Sequence, residues 1–153
     1  ENTYRDIIVN KKGRWEYGPG LYLTTHIQTA RKYARGGGRV YEVEVELNND
    51  IANTELNLET TIDFVKSYCL RSKEKLMIDD LTNNLNRVGK LYAYVLVNLC
   101  INNESLPSSR TPDLRRFLID NGVDYATDRY HLSNEKIVIV YNPKIIKSVN
   151  IKK

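Results

Sequence analysis

The sequence predicts an α+β domain, and three stretches carry this prediction. Arg39–Leu47 alternates between apolar and acidic side chains, which is the pattern of an antiparallel strand with one buried face. Leu56–Asn103 carries apolar residues at three- and four-residue steps, which is typical of amphipathic helices. Ile137–Tyr141 is a nearly continuous apolar run, which predicts a strand buried on both faces. Because the order is strands, helices, strands, we expect one domain over residues 1–153, with a helical insertion at about 56–103.

Short elements are predicted before Arg39–Leu47, around a Gly-Pro-Gly turn. We expect a short helix or turn over Thr3–Val9, followed by a polar loop over residues 10–16. Gly18–Leu23 predicts a turn that leads into a short apolar strand. The next helix is expected to begin with Thr25 as its N-cap and to end at the three glycines 36–38.

Two apolar stripes are predicted in the helical insertion. The first recurs at helical spacing along one segment and comprises Leu58, Ile62, Val65 and Cys69. The second continues the same spacing over a longer segment and comprises Ile78, Leu81, Leu85, Val88, Tyr92, Val95 and Leu99. We interpret both stripes as packing faces and assign them no chemistry.

The last third of the chain predicts one helix and then strands. Thr111-Pro112 is a helix start with proline at the first helical position, and Asn121-Gly122 is expected to end that helix. A polar turn over residues 128–134 separates Val123–Thr127 from the buried apolar strand. Ile145–Ile151 is predicted to pair as a final strand.

The charge, the cysteines and the apolar runs of the sequence limit the kinds of partner and site that we expect. The net charge of +4 favours an acidic or polyanionic partner, but no long basic run identifies nucleic acid. Cys69 and Cys100 look like small core residues without ligands at metal spacing, and the alternating glutamates of the first strand read as a solvated face, so we expect no metal site. No apolar run approaches the length of a membrane-spanning helix. The chain starts at Glu1 rather than Met, as expected of a processed or trimmed product.

Three residues are candidates for chemistry. Tyr22 and Tyr33 lie on a strand and on the helix that follows it, so their rings could face each other. Glu135 opens the most apolar strand, where nearby apolar surface strengthens the field of a carboxylate. Taken alone, Glu135 is better explained as a solvated glutamate at a strand end.

The motifs around these residues resemble those of the ADP-ribosyltransferase superfamily, in its His-Tyr-Glu branch, which includes the poly(ADP-ribose) polymerases. GPGLYLTT, followed by a helix with AxxYA, is similar to the second family motif, with Tyr33 placed 11 residues after Tyr22. NEKIVIVY, which contains Glu135, is similar to the third motif, in which a catalytic Glu opens a strand. The closing Tyr-Asn-Pro resembles small bacterial and phage members. The resemblance implies split antiparallel β-sheets with a helical insertion in the middle of the chain.

The resemblance also implies a reaction. NAD would be the substrate, with Tyr22 and Tyr33 stacking on its cationic nicotinamide ring and Gly20, Leu21 and Thr24 completing the binding turn. Glu135 would be catalytic, because a carboxylate on the ribose hydroxyls stabilises the oxocarbenium-like transition state more than the ground state. ADP-ribose would pass to a protein or nucleic-acid acceptor. We expect a cytoplasmic toxin, effector or phage protein, delivered into a host cell in the effector case.

Two departures from the family pattern keep alternatives open. The first family motif, His-Gly-Ser/Thr, has no match before Gly18, so we expect it upstream of Glu1 or replaced near Asn2-Thr3. Ser133 stands where the arginine-specific branch has Glu or Gln, which argues against simple arginine modification. The alternatives are an NAD glycohydrolase and a catalytically silent module that binds ADP-ribose, nucleic acid or protein.

Overall fold

The computed structural model describes residues 19–33, 39–129 and 136–152. Thr3–Val9, the loop at 10–16, the glycines 36–38 and most of the predicted turn at 128–134 lie outside these ranges. Within them the chain is mixed α+β, as predicted, with five α-helices and two small antiparallel sheets. The elements follow one another as β1 (Leu21–Thr24), α1 (Ile27–Tyr33), β2 (Val40–Val45), α2 (Leu58–Tyr68), α3 (Arg71–Val88), α4 (Ala93–Val97), α5 (Thr111–Asp120), β3 (Tyr125–Arg129), β4 (Lys136–Val140) and β5 (Ile146–Lys152).

The larger sheet has the strand order β1-β4-β3, and both pairings are antiparallel. The predicted apolar strand β4 is therefore central, and the burial of Val138, Ile139 and Val140, which alternate between its two faces, confirms that it is buried on both faces. Successive side chains of a strand point to opposite faces. Ile139 lies in the main core with the helices, whereas Val138 and Val140 lie in a second cluster on the other face.

The second cluster joins the two sheets. The smaller sheet pairs β2 with β5 in antiparallel register, for example Val43 opposite Val149, with an irregularity at Glu44/Val45. Val45 and Ile146 from this sheet pack against the apolar residues on the outer face of the larger sheet. The larger sheet is thus covered by helices on one face and by the end of the smaller sheet on the other.

The glutamates of β2 face solvent, as predicted. Glu42 forms an ion pair with Lys152 at 3.4 Å, and Glu46 forms one with Lys147 at 2.8 Å. The predicted apolar face was one residue too long: Leu47 is 40% exposed, because β2 ends at Val45.

Helices occupy the segment at about 56–103, where helical spacing was predicted, but the two predicted stripes are only partly right. The buried residues of α2 are Thr61, Phe64 and Val65, so Phe64 was missed. The long second stripe is interrupted because Gly89 ends α3 in the left-handed region, with φ of 88°. Val88, just before this break, is 48% exposed. A π-helical turn, Asn98–Asn102, follows α4.

Helix α5 begins at Thr111-Pro112, as predicted, and buries Leu114 and Leu118. Gly122 follows it with φ of 82°, which favours glycine. Strand β3 runs on to Arg129, past the expected start of the polar turn at 128. None of the helices in the described ranges has the length and apolar character needed to cross a membrane.

A buried carboxylate fastens the end of β4 to two loops. Asp124 is 8% exposed and accepts hydrogen bonds from the backbone N–H of Asn49 at 3.3 Å and from the side-chain amide of Asn142 at 3.0 Å. The carbonyl of Tyr141 accepts a hydrogen bond from Arg115 Nε at 2.8 Å. The Tyr-Asn-Pro segment, one part of the family resemblance, therefore has a structural role in this fold.

Candidate functional site

The candidate site lies where β1 and β4 run side by side. Tyr22 is opposite Ile139, and Thr24 is opposite Ile137, at the end of the sheet where β4 begins. Helix α1 starts three residues after Thr24. The sequence segment that holds the tyrosine motif is thus paired directly with the strand of the glutamate motif, more than a hundred residues later.

Two hydrogen bonds extend this pairing beyond the strands. The backbone N–H of Thr25 donates to the carbonyl of Lys136 at 3.1 Å, and the N–H of Lys136 donates to Thr25 Oγ1 at 2.9 Å. The prediction that Thr25 caps the helix was wrong, because α1 begins at Ile27 and the Thr25 hydroxyl is engaged by β4. Thr24 Oγ1 accepts a hydrogen bond from the N–H of His26 at 3.1 Å, which turns the chain from strand to helix.

The ring of Tyr22 is half-buried and packs against the helical core. It lies on the same face of the sheet as Ile137 and Ile139, by the alternation of side chains along paired strands. Part of the Tyr22 side chain is therefore held by the helical core. A fixed aromatic ring of this kind is suited to one side of a stacking pocket.

Gly20 and Leu21 have clear packing reasons for their identity. A Cβ at Gly20 would lie 2.7 Å from the carbonyl oxygen of Val140 and 2.9 Å from Ile139 Cγ2, so β4 approaches too closely for any side chain. Leu21 is 1% exposed and packs in the second cluster, on the face opposite Tyr22. Its role in NAD binding stays a prediction and would involve its backbone.

The other two expected site residues are less fully described. Tyr33 is the last residue of α1, and its side chain lies outside the described part of the structure. Glu135 lies outside the described residues; Lys136, the first residue of β4, follows it in the sequence. The structure thus brings Gly20, Tyr22 and Thr24 to the edge of β4, while the positions of the Tyr33 ring and of the Glu135 carboxylate stay predictions.

Comparison with protein-family models, with curated proteins and with solved structures found no match. The family resemblance therefore rests on the motifs of the sequence alone. Within residues 19–33, 39–129 and 136–152, no group of three or more His, Cys, Asp or Glu side chains is placed to hold a metal ion.

Sequence reasoning missed the connection between Thr25 and Lys136. Thr-Thr before a helix is a capping signal, and local sequence gives no indication that one hydroxyl is used by a strand 111 positions away. The two adjacent threonines were a partial signal, because one hydroxyl could accept a hydrogen bond at the start of the helix while the other bonded to the sheet. Only the antiparallel register decides between them.

Proposed function

We propose that this chain is an NAD-dependent mono-ADP-ribosyltransferase that cleaves the bond between nicotinamide and ribose and transfers ADP-ribose to a macromolecular acceptor. The observation that carries the proposal is the direct pairing of β1, which holds Tyr22, with β4, whose first residue follows Glu135. Neighbouring strands lie about 4.8 Å apart, so the pairing places the two motifs on adjacent strands, with Tyr22 opposite Ile139, four positions after Glu135 in the sequence. The fold class, two antiparallel sheets with a helical insertion, is compatible with the fold that the resemblance implies.

In this proposal Tyr22 supplies an aromatic wall. Its ring is fixed by the core on one part, so little conformational entropy is lost when a flat cationic ligand stacks on the other. Tyr33 would supply the opposing ring from the end of α1. Thr24 and Thr25 hold the corner between strand and helix through their hydroxyls, which fixes the direction in which α1 leaves the sheet.

Glu135 would supply the carboxylate that completes the reaction. Hydrogen bonds from the ribose hydroxyls to this carboxylate would orient the sugar and stabilise the positive charge that develops as nicotinamide leaves. The two bonds between Thr25 and Lys136 support this role, because they anchor the backbone immediately after Glu135 to the tyrosine motif. A protein or a nucleic acid is the proposed acceptor.

A second candidate is a catalytically silent binding module of the same fold. It is favoured by one observation: close packing against β4 accounts for Gly20, and the helical core accounts for part of Tyr22, without any ligand.

The test is incubation of the full chain with NAD labelled in its ADP-ribose half, together with a cell lysate. We expect label to join a macromolecule while nicotinamide is released. Glu135→Gln is expected to slow release by about 100-fold or more, the loss typical of removing one transition-state contact. Glu44→Gln, which makes the same change at an exposed strand position, is the matched control and is expected to retain full activity.

The outcomes separate the candidates. Nicotinamide release without transfer of label would identify a glycohydrolase, in which water is the acceptor. NAD binding by calorimetry without nicotinamide release would identify the binding module. No binding and no release would overturn the proposal, as would equal activity of Glu135→Gln and the unsubstituted protein.

A further inference from the structure

Two cysteines that are distant in sequence meet within the helical insertion. Cys69 ends α2 as its C-cap, with φ of −84° and ψ of 164°, and Cys100 lies in the π-helical turn Asn98–Asn102. Cys69 packs against the buried core cluster that contains Cys100, and neither cysteine is in a disulfide. Sequence spacing gave no indication of this pair, because 31 positions and two helices separate its members.

Backbone hydrogen bonds hold the two segments together. The N–H of Leu70 donates to the carbonyl of Ser105 at 2.9 Å, and the N–H of Leu106 donates to the carbonyl of Cys100 at 3.1 Å. The residue after Cys69 is therefore tied to the loop that folds back over Cys100. These contacts hold the two segments that carry the cysteines side by side.

The two thiols differ in access. Cys100 is 1% exposed and belongs to the main core, whereas Cys69 is half-buried at a helix end. Cys69 also has an extended backbone at the junction between α2 and α3, a place where a small rotation moves the sulfur without distorting a helix. Cys69 can thus be reached from solvent, whereas Cys100 is buried.

We propose that Cys69 and Cys100 form an oxidisable dithiol, which a peroxide converts into an intramolecular disulfide. The Cys69 thiolate attacks one peroxide oxygen, the O–O bond breaks, and hydroxide (or alkoxide) leaves, so that sulfur becomes a sulfenic acid. Cys100 then attacks that sulfur, the S–O bond breaks, and one water leaves as the S–S bond forms. Overall, two thiols lose two electrons and two protons, and the peroxide is reduced. This inference is independent of the proposed transferase activity.

The difference in pKa between the two thiols agrees with this order of steps. The hydrogen bond from Cys100 lowers the pKa of the Cys69 thiol, against an opposing effect of its partial burial. The hydrogen bond to Cys69 and burial raise the pKa of Cys100 well above its ordinary value. Cys69 is therefore the thiol that ionises and meets the oxidant, and Cys100 is the thiol that resolves the sulfenic acid.

The disulfide would close a loop that contains α3 and α4. Cross-linking a loop of this length restricts the unfolded chain, so the oxidised protein is expected to melt at a higher temperature than the reduced protein, by roughly 10 °C. A peroxide pulse would thereby rigidify the insertion, and a thiol reductant would reverse the change.

The experiment treats the full reduced chain with hydrogen peroxide and follows intact mass and maleimide labelling of the denatured protein. We expect a monomer lighter by two hydrogens, with both thiols protected from maleimide and both restored by dithiothreitol. Cys100→Ala is expected to stop at the sulfenic acid of Cys69, which a dimedone probe captures. Cys69→Ala is expected to leave the buried Cys100 unreacted in the folded protein.

Three results would overturn the proposal. The unsubstituted protein could keep two free thiols after peroxide treatment, it could cross-link only between molecules, or Cys69 could pass to the sulfinic acid without forming a disulfide. Because the mass and labelling of the unsubstituted protein decide the matter, a variant that fails to fold does not affect the conclusion.

Discussion

Thr25 and Lys136 are joined by a reciprocal pair of hydrogen bonds, one from each backbone N–H, at 3.1 Å and 2.9 Å. One acceptor is a backbone carbonyl and the other is the threonine hydroxyl, so this pair extends the sheet by one side-chain contact where the strand has ended. The corner that leads into α1 is thereby fixed to the first residue of β4. In the proposed enzyme this contact keeps the tyrosine motif and the glutamate motif in register.

Replacing Thr25 by Val tests this contact. Val keeps the shape of the side chain but removes the hydroxyl, and we expect the free energy of unfolding to fall by about 0.5–1.5 kcal/mol, because one exposed hydrogen bond is exchanged for water. Nicotinamide release is expected to fall further, by about 10-fold to 100-fold, since small displacements of catalytic groups are costly. Thr25→Ser keeps the hydroxyl and is the control. Full turnover by Thr25→Val with reduced stability would show that the corner does not position the site.

A substitution series at Tyr22 separates stacking from packing. Tyr22→Phe keeps the ring and is expected to bind NAD nearly as well as the unsubstituted protein. Tyr22→Leu keeps apolar contact with the core but removes the π face, and we expect binding to weaken by roughly 3-fold to 30-fold, which corresponds to a cation–π contact of about 0.5–2 kcal/mol. Isothermal calorimetry measures the affinity, and urea unfolding measures stability. Equal weakening by Phe and Leu would argue against stacking on this ring.

Local patterns were sufficient to predict much of the fold. The apolar run of β4, the alternation of β2 and the proline at the start of α5 each encode their element in neighbouring residues. Gly122 ends α5 where the sequence predicts. Gly89 was overlooked because the apolar residues happen to keep helical spacing across the break. Periodicity reports the spacing of side chains, and it does not report where the backbone hydrogen-bond ladder stops.

The site was less predictable than the fold, for a physical reason. The bond from β4 to the hydroxyl of Thr25, rather than to that of Thr24, depends on the antiparallel register between strands that are more than a hundred residues apart. The separation of Leu21 and Tyr22 onto opposite clusters depends on which face of the sheet the helices cover. Both features result from tertiary packing, so they cannot be predicted from any short stretch of the sequence.

Gly20→Ala tests the close approach of β1 and β4. Its added methyl group would meet the carbonyl oxygen of Val140 at 2.7 Å, and the backbone cannot yield without breaking the sheet register. We expect a loss of about 1–3 kcal/mol in the free energy of unfolding, typical of overpacking. Gly89→Ala is the comparison, because its methyl group would meet open space and only the left-handed backbone is strained, at about 1–2 kcal/mol. A neutral effect of Gly20→Ala would show that the strands can separate.

Alkaline pH is expected to destabilise the fold through Tyr125. Burial raises the pKa of the Tyr125 phenol above its ordinary value of 10.0, and the negative charges of Asp50 and Asp124 raise it further. The folded state therefore keeps the phenol protonated where the unfolded chain would release the proton. This contribution to stability is complete below pH 10 and is lost as pH rises through the raised pKa of the folded protein.

Melting temperatures measured between pH 9 and pH 11 test this linkage. The unsubstituted protein is expected to lose stability more steeply over this range than Tyr125→Phe, which has no proton to release. Asp50→Asn removes one of the two charges, so we expect an intermediate slope. Returning each sample to pH 8 before a second melt checks that the loss is reversible. Identical slopes for the unsubstituted protein and Tyr125→Phe would mean that the phenol has the same pKa in the folded and unfolded chains. The burial of Tyr125 in the second cluster argues against that result.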